Sequence, residues 1–269
     1  MKNKVAIITG ASSGIGKALA FEFARRGAKV VIAARSFPKL EEIHNELVAM
    51  GADSWPVVVD VSSETDCRNL TTETIKRYGR IDILVNNAGI SMRALFADCE
   101  LDVIRHLMDV NFWGTVCCTK YALPYLLKSK GSIVGVISIA GYVGLPGRTG
   151  YSASKFAVRG FLDTLRVENI HSGLHVLVVA PGFTASNIRN VALTADGSQQ
   201  GETPRDENKM MPAETVAFKM ADAIEKRRRS LTLTFVEGKL TVFLGKWLPR
   251  LLDRLSYTHM AKEPNSPFK

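Results

Sequence analysis

No run in this 269-residue chain reaches the roughly 18 consecutive apolar residues that a membrane-crossing helix requires, so no transmembrane span is expected. Cysteine is scarce. Its four copies, Cys67, Cys99, Cys117 and Cys118, show no metal-ligand spacing, and no metal site is expected. Cys117 and Cys118 are adjacent and badly placed to bridge each other, so reduced, mostly buried thiols in a cytoplasmic, reducing compartment are the expectation. Aromatic residues, 8% of the chain, do not interleave with the basic ones as a single-strand nucleic-acid binder would need. The formal charge of +9 is therefore read toward an anionic cofactor or an anionic membrane surface, with no nucleic-acid partner. Internal repeats and low-complexity tracts are missing too. No secretory leader is expected, because Lys4-Val5-Ala6-Ile7-Ile8-Thr9 already reads as a strand with only three residues ahead of it.

What is present is an ordinary globular composition, 46% hydrophobic and 23% charged, at a length suited to one large α/β domain. Hydrophobic runs alternate with helical patterns. Strands are predicted at 4–9, 28–34, 54–59, 81–86, 132–138, 174–180 and 230–236. Helices are predicted at about 15–26, 38–50, 64–78, 100–129, 151–171 and 213–227. Val/Ile-rich strands separated by helices predict an α/β fold with a doubly wound, parallel, seven-stranded sheet of Rossmann type, helices covering both faces. A polar insertion at about 186–212 follows a strand end, where ligands sit in such sheets, and is expected to be a lid. The predicted organisation is a single domain over 1–236, followed by an amphipathic extension over 237–269.

Between the first strand and first helix lies Thr9-Gly10-Ala11-Ser12-Ser13-Gly14-Ile15-Gly16. Glycines let backbone turn sharply and approach a pyrophosphate, and a helix N-terminus offers free N–H groups to it. Gly10, Ser12, Ser13, Gly14, Ile15 and Gly16 are thus candidates for cofactor binding. Further along, Tyr151 precedes Lys155 by four residues, a spacing that shares a helix face. An ammonium beside a phenol is expected to lower the phenol's pKa by ~1–3 units, bringing proton exchange toward neutral pH.

These two motifs, with Asn86-Asn87-Ala88-Gly89 and a serine at Ser138 thirteen residues before Tyr151, strongly resemble the short-chain dehydrogenase/reductase family over about 4–236. The resemblance implies Tyr151 as general acid in reduction and base in oxidation, and Lys155 as its activator and ribose holder. It implies Ser138 as donor to the substrate oxygen and Asn111 as a helix-disrupting support for a proton-relay water. It also implies cofactor contacts at Asp60 and Val61 (adenine), at Asn87, Ala88 and Gly89 (ribose), and at the turn holding Pro181, Gly182, Thr184 and Ser186 (nicotinamide). The family's acidic position at the end of the second strand falls on Ala34, followed by Arg35. With no carboxylate to repel a 2′-phosphate and a guanidinium able to bind it, NADP(H) is favoured over NAD(H). Some NADP-preferring relatives carry a basic residue where this chain has Ser13. Association into a homodimer or homotetramer through the helices at 100–129 and 151–171 is likewise implied.

The predicted substrate pocket is apolar: Met92 and Phe96 after the fourth strand, Tyr142 and Leu145 after Ser138, Met210 and Met211 near the end of the insertion. Arg93 and Arg148, the charged residues of these segments, are expected to face solvent. An apolar ketone or secondary alcohol, lipid- or steroid-like, is favoured over a small sugar or acid. The alternative is an idle nucleotide sensor or scaffold of the same fold, which has no need for an acid, its activator and a hydroxyl donor together. In the extension, Leu240, Leu244, Trp247, Leu248, Leu251, Leu252 and Leu255 form one stripe, with Lys239, Lys246, Arg250 and Arg254 away from it. Pro249 should divide it into two helices. Packing on protein and peripheral membrane contact are both open for this tail, and Lys226-Arg227-Arg228-Arg229 would add to membrane attraction. Its placement resembles the 11β-hydroxysteroid dehydrogenase-like and 3-ketosphinganine reductase-like branches of the family.

Overall fold

The computed structural model describes residues 1–201, 203, 210–262 and 266–268. Seven strands form one all-parallel sheet: β1 (Val5–Thr9), β2 (Lys29–Ala34), β3 (Ser54–Val58), β4 (Ile83–Asn86), β5 (Ser132–Val136), β6 (His175–Ala180) and β7 (Ser230–Thr232). They lie in the order β3-β2-β1-β4-β5-β6-β7. The helices are α1 (Gly14–Arg25), α2 (Phe37–Ala49), α3 (Glu64–Tyr78), α4 (Leu101–Leu107), α5 (Gly114–Ser129), α6 (Thr149–Glu168), α7 (Ala213–Glu225), α8 (Thr241–Trp247) and α9 (Pro249–Ala261).

Both sheet faces are buried, and the period of two along each strand sorts the side chains. Ala6 and Ile8 of β1, with Val30 and Ile32 of β2, join a core shared with Leu19, Phe23, Leu40 and Met220. Val5, Ile7 and Val31 point the other way, onto Leu70, Leu126 and Leu162. Asp82, buried ahead of β4, ties the sheet at its start: Val5 N donates to Oδ2 at 2.9 Å and Arg80 grips both carboxylate oxygens.

Two predicted elements need correction. The strand expected over 230–236 stops at Thr232, because Thr234 takes φ +64° and the chain coils into a π-helical turn, Phe235–Leu240. The helix expected over 100–129 is continuous in direction but widened at Met108–Trp113, a π-helical segment that joins α4 to α5 and carries Asn111. As expected, the extension breaks at Leu248, and Pro249 opens α9. Leu252 is buried there and Leu244 packs on the core, so two members of the apolar stripe face inward. The basic run 226–229 is taken up locally: Lys226 pairs with Asp222, Arg227 donates to the carbonyls of Lys130 and Gly173, and Arg229 lies 4.0 Å from Asp163. Of the predicted lid, residues 202 and 204–209 lie outside the described residues. The described part is stitched to the body, with Leu193 N donating to Ser91 O at 2.9 Å and Arg93 N to Leu193 O at 2.8 Å.

Candidate active site

The order of strands reverses between β1 and β4, and a cleft of about 420 Å³ opens above their C-terminal ends. Its floor is laced by backbone and small side chains. Asn87 Nδ2 donates to the carbonyls of Thr9 and Gly10, at 2.9 and 3.2 Å. Thr9 Oγ1 accepts from Asn87 N and Ala88 N, both at 3.0 Å, and donates to Val85 O.

Gly10, Gly14 and Gly16 are required here by space and by backbone. Gly10 has φ +64°, and a Cβ there would stand 2.8 Å from Ala88 Cα; at Gly16 a Cβ would stand 2.2 Å from Gly10 O. Gly14, at φ +52°, opens α1 with its Cβ position 3.1 Å from Ser186 Cβ across the cleft. Ser12, Ser13 and Ile15 line the same wall. Around the rest of this end run Arg35, Ser36, Lys39, Asp60, Val61, Asn87, Ala88 and Gly89. Arg35 is exposed at the end of β2 beside the side-chain-poor Ala34. Burial works to raise the Asp60 carboxyl, but hydrogen bonds from Ser62 Oγ and N, with the charges of Arg35 and His106, hold it below the ordinary aspartate range. A cradle with no room for Cβ atoms, a helix N-terminus and flanking cations fits an extended dinucleotide pyrophosphate.

At the inner end four side chains converge. Tyr151 and Lys155 share the buried face of α6. Lys155 Nζ lies 5.8 Å from the Tyr151 ring centroid and donates to Val136 O at 3.0 Å. Ser138, just past β5, lies near enough to the Tyr151 phenol to draw its pKa down and accepts from Ala140 N at 3.2 Å. Asn111 holds the loop following β4 by both ends of its amide: Ile90 N donates to Oδ1 at 2.9 Å, and Nδ2 donates to Ile90 O at 3.0 Å. Its Nδ2 also reaches Ser154 Oγ at 2.9 Å, which in turn donates to Tyr151 O. The π-helical widening is what turns this amide out of the helix ladder toward β4.

The electrostatics differ from expectation. Burial raises the Tyr151 phenol above its ordinary value; the Ser138 hydrogen bond and the charges of Arg148 and Arg189 pull it back down only in part. Lys155 is itself pushed down to about 8 by burial, and its amine is engaged with Val136 O. Lys155 is not among the charges that draw the phenol down, and burial is the larger effect on both groups.

Pro181, Gly182, Thr184 and Ser186 line the cleft opposite the glycines. Gly182 lets β6 approach Thr234, whose Oγ1 would be 2.4 Å from a Cβ. Of the six predicted pocket residues, Leu145 alone lines this cleft. Met92 is fully buried among Val103, Leu107 and Ala140, Phe96 is 61% exposed, and Tyr142 stacks under the Arg159 guanidinium at 4.0 Å. Met210 is half-buried, and Met211 packs against the core beside a bridge to Thr184. The apolar wall is instead Leu145 with Phe183, Ile188 and Val191. Arg148 is half-buried and lines the cleft, contrary to the solvent-facing position expected of it; Arg93 is half-buried as well. Arg189 was not foreseen at all: its Nη2 donates to Thr184 O at 2.8 Å.

Comparison with known proteins decides the lineage. The model of the family described as short chain dehydrogenase matches residues 4–196. The chain belongs to the short-chain dehydrogenase family. It is 36% identical, over 99% of its length and 84% of the relative's, to dehydrogenase/reductase SDR family member 7B of Rattus norvegicus. It is 42% identical to 11-beta-hydroxysteroid dehydrogenase-like 4A of Arabidopsis thaliana, covering 73% of this chain and 66% of that one. Among solved structures it resembles a short chain dehydrogenase/reductase from Burkholderia phymatum in complex with NAD, at TM-score 0.78 and 25% identity, covering 86% of this chain and 88% of that one. An alcohol dehydrogenase from Thermococcus sibiricus complexed with 5-hydroxy-NADP shares the fold at TM-score 0.74 and 24% identity, with 86% and 94% covered. The enzyme is thus an NAD(P)-dependent oxidoreductase acting on CH–OH and C=O groups, and its kinship to steroid-type members agrees with the sequence reading.

Proposed function

We propose that this chain transfers hydride between NADP(H) and an apolar ketone or secondary alcohol of lipid or steroid type. The observation that carries this reading is the convergence of Tyr151, Ser138, Lys155 and Asn111 at the inner end of the cleft, against the wall of Leu145, Phe183, Ile188 and Val191. When bound, the dinucleotide supplies the hydride. The Tyr151 phenol donates a proton to the substrate oxygen in reduction and accepts it in oxidation. Ser138, beside that phenol, aims its hydroxyl at the same oxygen and stabilises its developing charge. Lys155 offers a buried amine to the ribose side, and Asn111 fixes Ile90 and, through Ser154, the turn of α6 that carries Tyr151.

Arg35 and Lys39 at the outer end, with Ala34 in place of an acid, support NADP(H). Similarity to an 11-beta-hydroxysteroid dehydrogenase-like protein of Arabidopsis thaliana supports a steroid-like substrate. Exposed Trp113, Tyr125 and Phe156 at the N-terminus of α5, along α5 and on α6 support a homodimer or homotetramer. A cytoplasmic enzyme in peripheral contact with a membrane through 237–269 completes the proposal; among the described residues no helix is long and apolar enough to cross one.

The test is nicotinamide oxidation over steroid ketones, long-chain ketones and small polar ketones, with Tyr151→Phe beside the wild type. Tyr151→Phe should lose on the order of 10³-fold in kcat/KM while keeping its nucleotide affinity. Equal turnover in the two proteins, or turnover of polar ketones alone, would remove the proposal.

A further inference from the structure

The segment from the end of β7 to the end of α9 exposes more large apolar side chain than it buries. Phe235 is 71% exposed, Trp247 63%, Phe243 54%, and Leu251 and Leu255 46% and 50%. Phe243 and Trp247 stand one turn apart on α8, as Leu251 and Leu255 do on α9, so each helix presents an exposed apolar face, with Lys246 Nζ 5.3 Å over the Trp247 ring. Exposed Lys239, Lys246, Arg250 and Arg254 border these faces, against the acids Glu237 and Asp253, leaving the segment cationic.

The opposite side of the same two helices rests on the loop at 139–148, which gives Leu145 and Arg148 to the cleft. Gly245 lies against Val143 so closely that a Cβ would stand 2.5 Å from Val143 Cγ1. Arg148 Nη1 meets Met260 Sδ at 3.9 Å, and Gly147 faces Pro267 and Phe268. Among the described residues, α8 and α9 thus carry the apolar faces on one side and touch the loop of the substrate end on the other.

We infer that the 235–257 face docks on an anionic lipid bilayer, and that docking is relayed through α8 and α9 to the substrate loop. The inference rests on the peripheral contact proposed above and adds the surface, the lipid charge and the coupling. The cationic border selects a bilayer over a second copy of the chain, since two such faces would repel each other while anionic headgroups attract both.

The experiment uses the full chain and vesicles of phosphatidylcholine with or without phosphatidylserine. Wild type should pellet with the anionic vesicles at low salt, and Trp247→Glu/Leu251→Glu should lose at least about tenfold in partitioning. Both side chains are exposed, so thermal melting and NADPH affinity of the variant should match wild type. Turnover of a water-soluble ketone should change by at least about twofold on adding anionic vesicles to wild type, and not in the variant. No pelleting overturns the docking; pelleting with unchanged turnover overturns the relay. Dimers lost in the double variant, without vesicle binding, would make the face a subunit interface and overturn the inference. A chain that pellets but turns over no ketone would break the proposed function while leaving the docking intact.

Discussion

The two ends of the cleft are built from different materials. The floor of the outer, nucleotide end is made of main chain: Gly10 and Gly16 press against Ala88 and each other at distances that exclude a single added carbon, and Gly14 holds φ +52° beside Ser186. The inner, substrate end is made of side chains on loops, Leu145, Arg148, Phe183, Ile188, Arg189 and Val191, none of them fully buried. A surface made of backbone has one solution and tolerates no substitution. A surface made of side chains can be reshaped residue by residue, which is how one fold accommodates many substrates.

Substitutions can break that contrast. Gly16→Ala should be the most damaging, because its Cβ would sit 2.2 Å from a backbone oxygen that has nowhere to go. A loss of more than about 100-fold in NADPH affinity, read by fluorescence titration, is expected, with a lowered Tm. Lys155→Met should sharpen the comparison in the opposite sense. The Lys155 amine, pushed from 10.5 to about 8, is disfavoured as a cation by burial, so the unfolded chain binds its proton more tightly. Its cost to stability is full below about pH 8 and relieved as pH rises toward 10.5. Removing it should stabilise the nucleotide-free protein by roughly 3 kcal/mol at pH 7 by denaturant titration while activity collapses. Equal stability of the two proteins across that pH range would refute the account.

Arg35→Ala should lower the preference for NADPH over NADH by on the order of tenfold in kcat/KM, leaving kcat with NADH unchanged. The smallest effect belongs to Arg189→Gln. Loss of a cation that draws down the Tyr151 phenol should move the phenol-dependent limb of the pH–rate profile upward. A downward movement, or none, would mean that Arg189 serves only to hold the Thr184 carbonyl.

What was legible in the sequence divides along the same line. Glycines that permit close backbone approach, and a tyrosine and lysine one helical turn apart, announce themselves by identity and spacing. A parallel sheet covered on both faces followed from strand composition. The end of β7 misled, because Leu231-Thr232-Leu233-Thr234-Phe235-Val236 alternates like a strand and nothing in it betrays the positive φ at Thr234. Met92 misled because distance from a strand end says nothing about which way a side chain turns; it turned into the core beneath Ala140. Arg148 reads as solvent-facing, and nothing singles out Arg189, since a lone cation beside apolar residues ordinarily points to water. The one available signal was position: Arg148 stands immediately before the helix that carries Tyr151, and Arg189 follows directly on the turn at 181–186. The sign of the tyrosine shift was beyond the sequence altogether, since it depends on how thoroughly water is excluded from both partners.

Thr9 gives the site a property that outlasts any single contact. Its hydroxyl spends its whole hydrogen-bonding capacity, two acceptor positions and one donor, on the amides of Asn87 and Ala88 and the carbonyl of Val85. Adjacent strands at the reversal point are therefore riveted where most open sheets have a seam. Separating them means breaking these three bonds together with the β1–β4 ladder, so the floor of the crevice is its stiffest part and the loops of the rim its most adaptable.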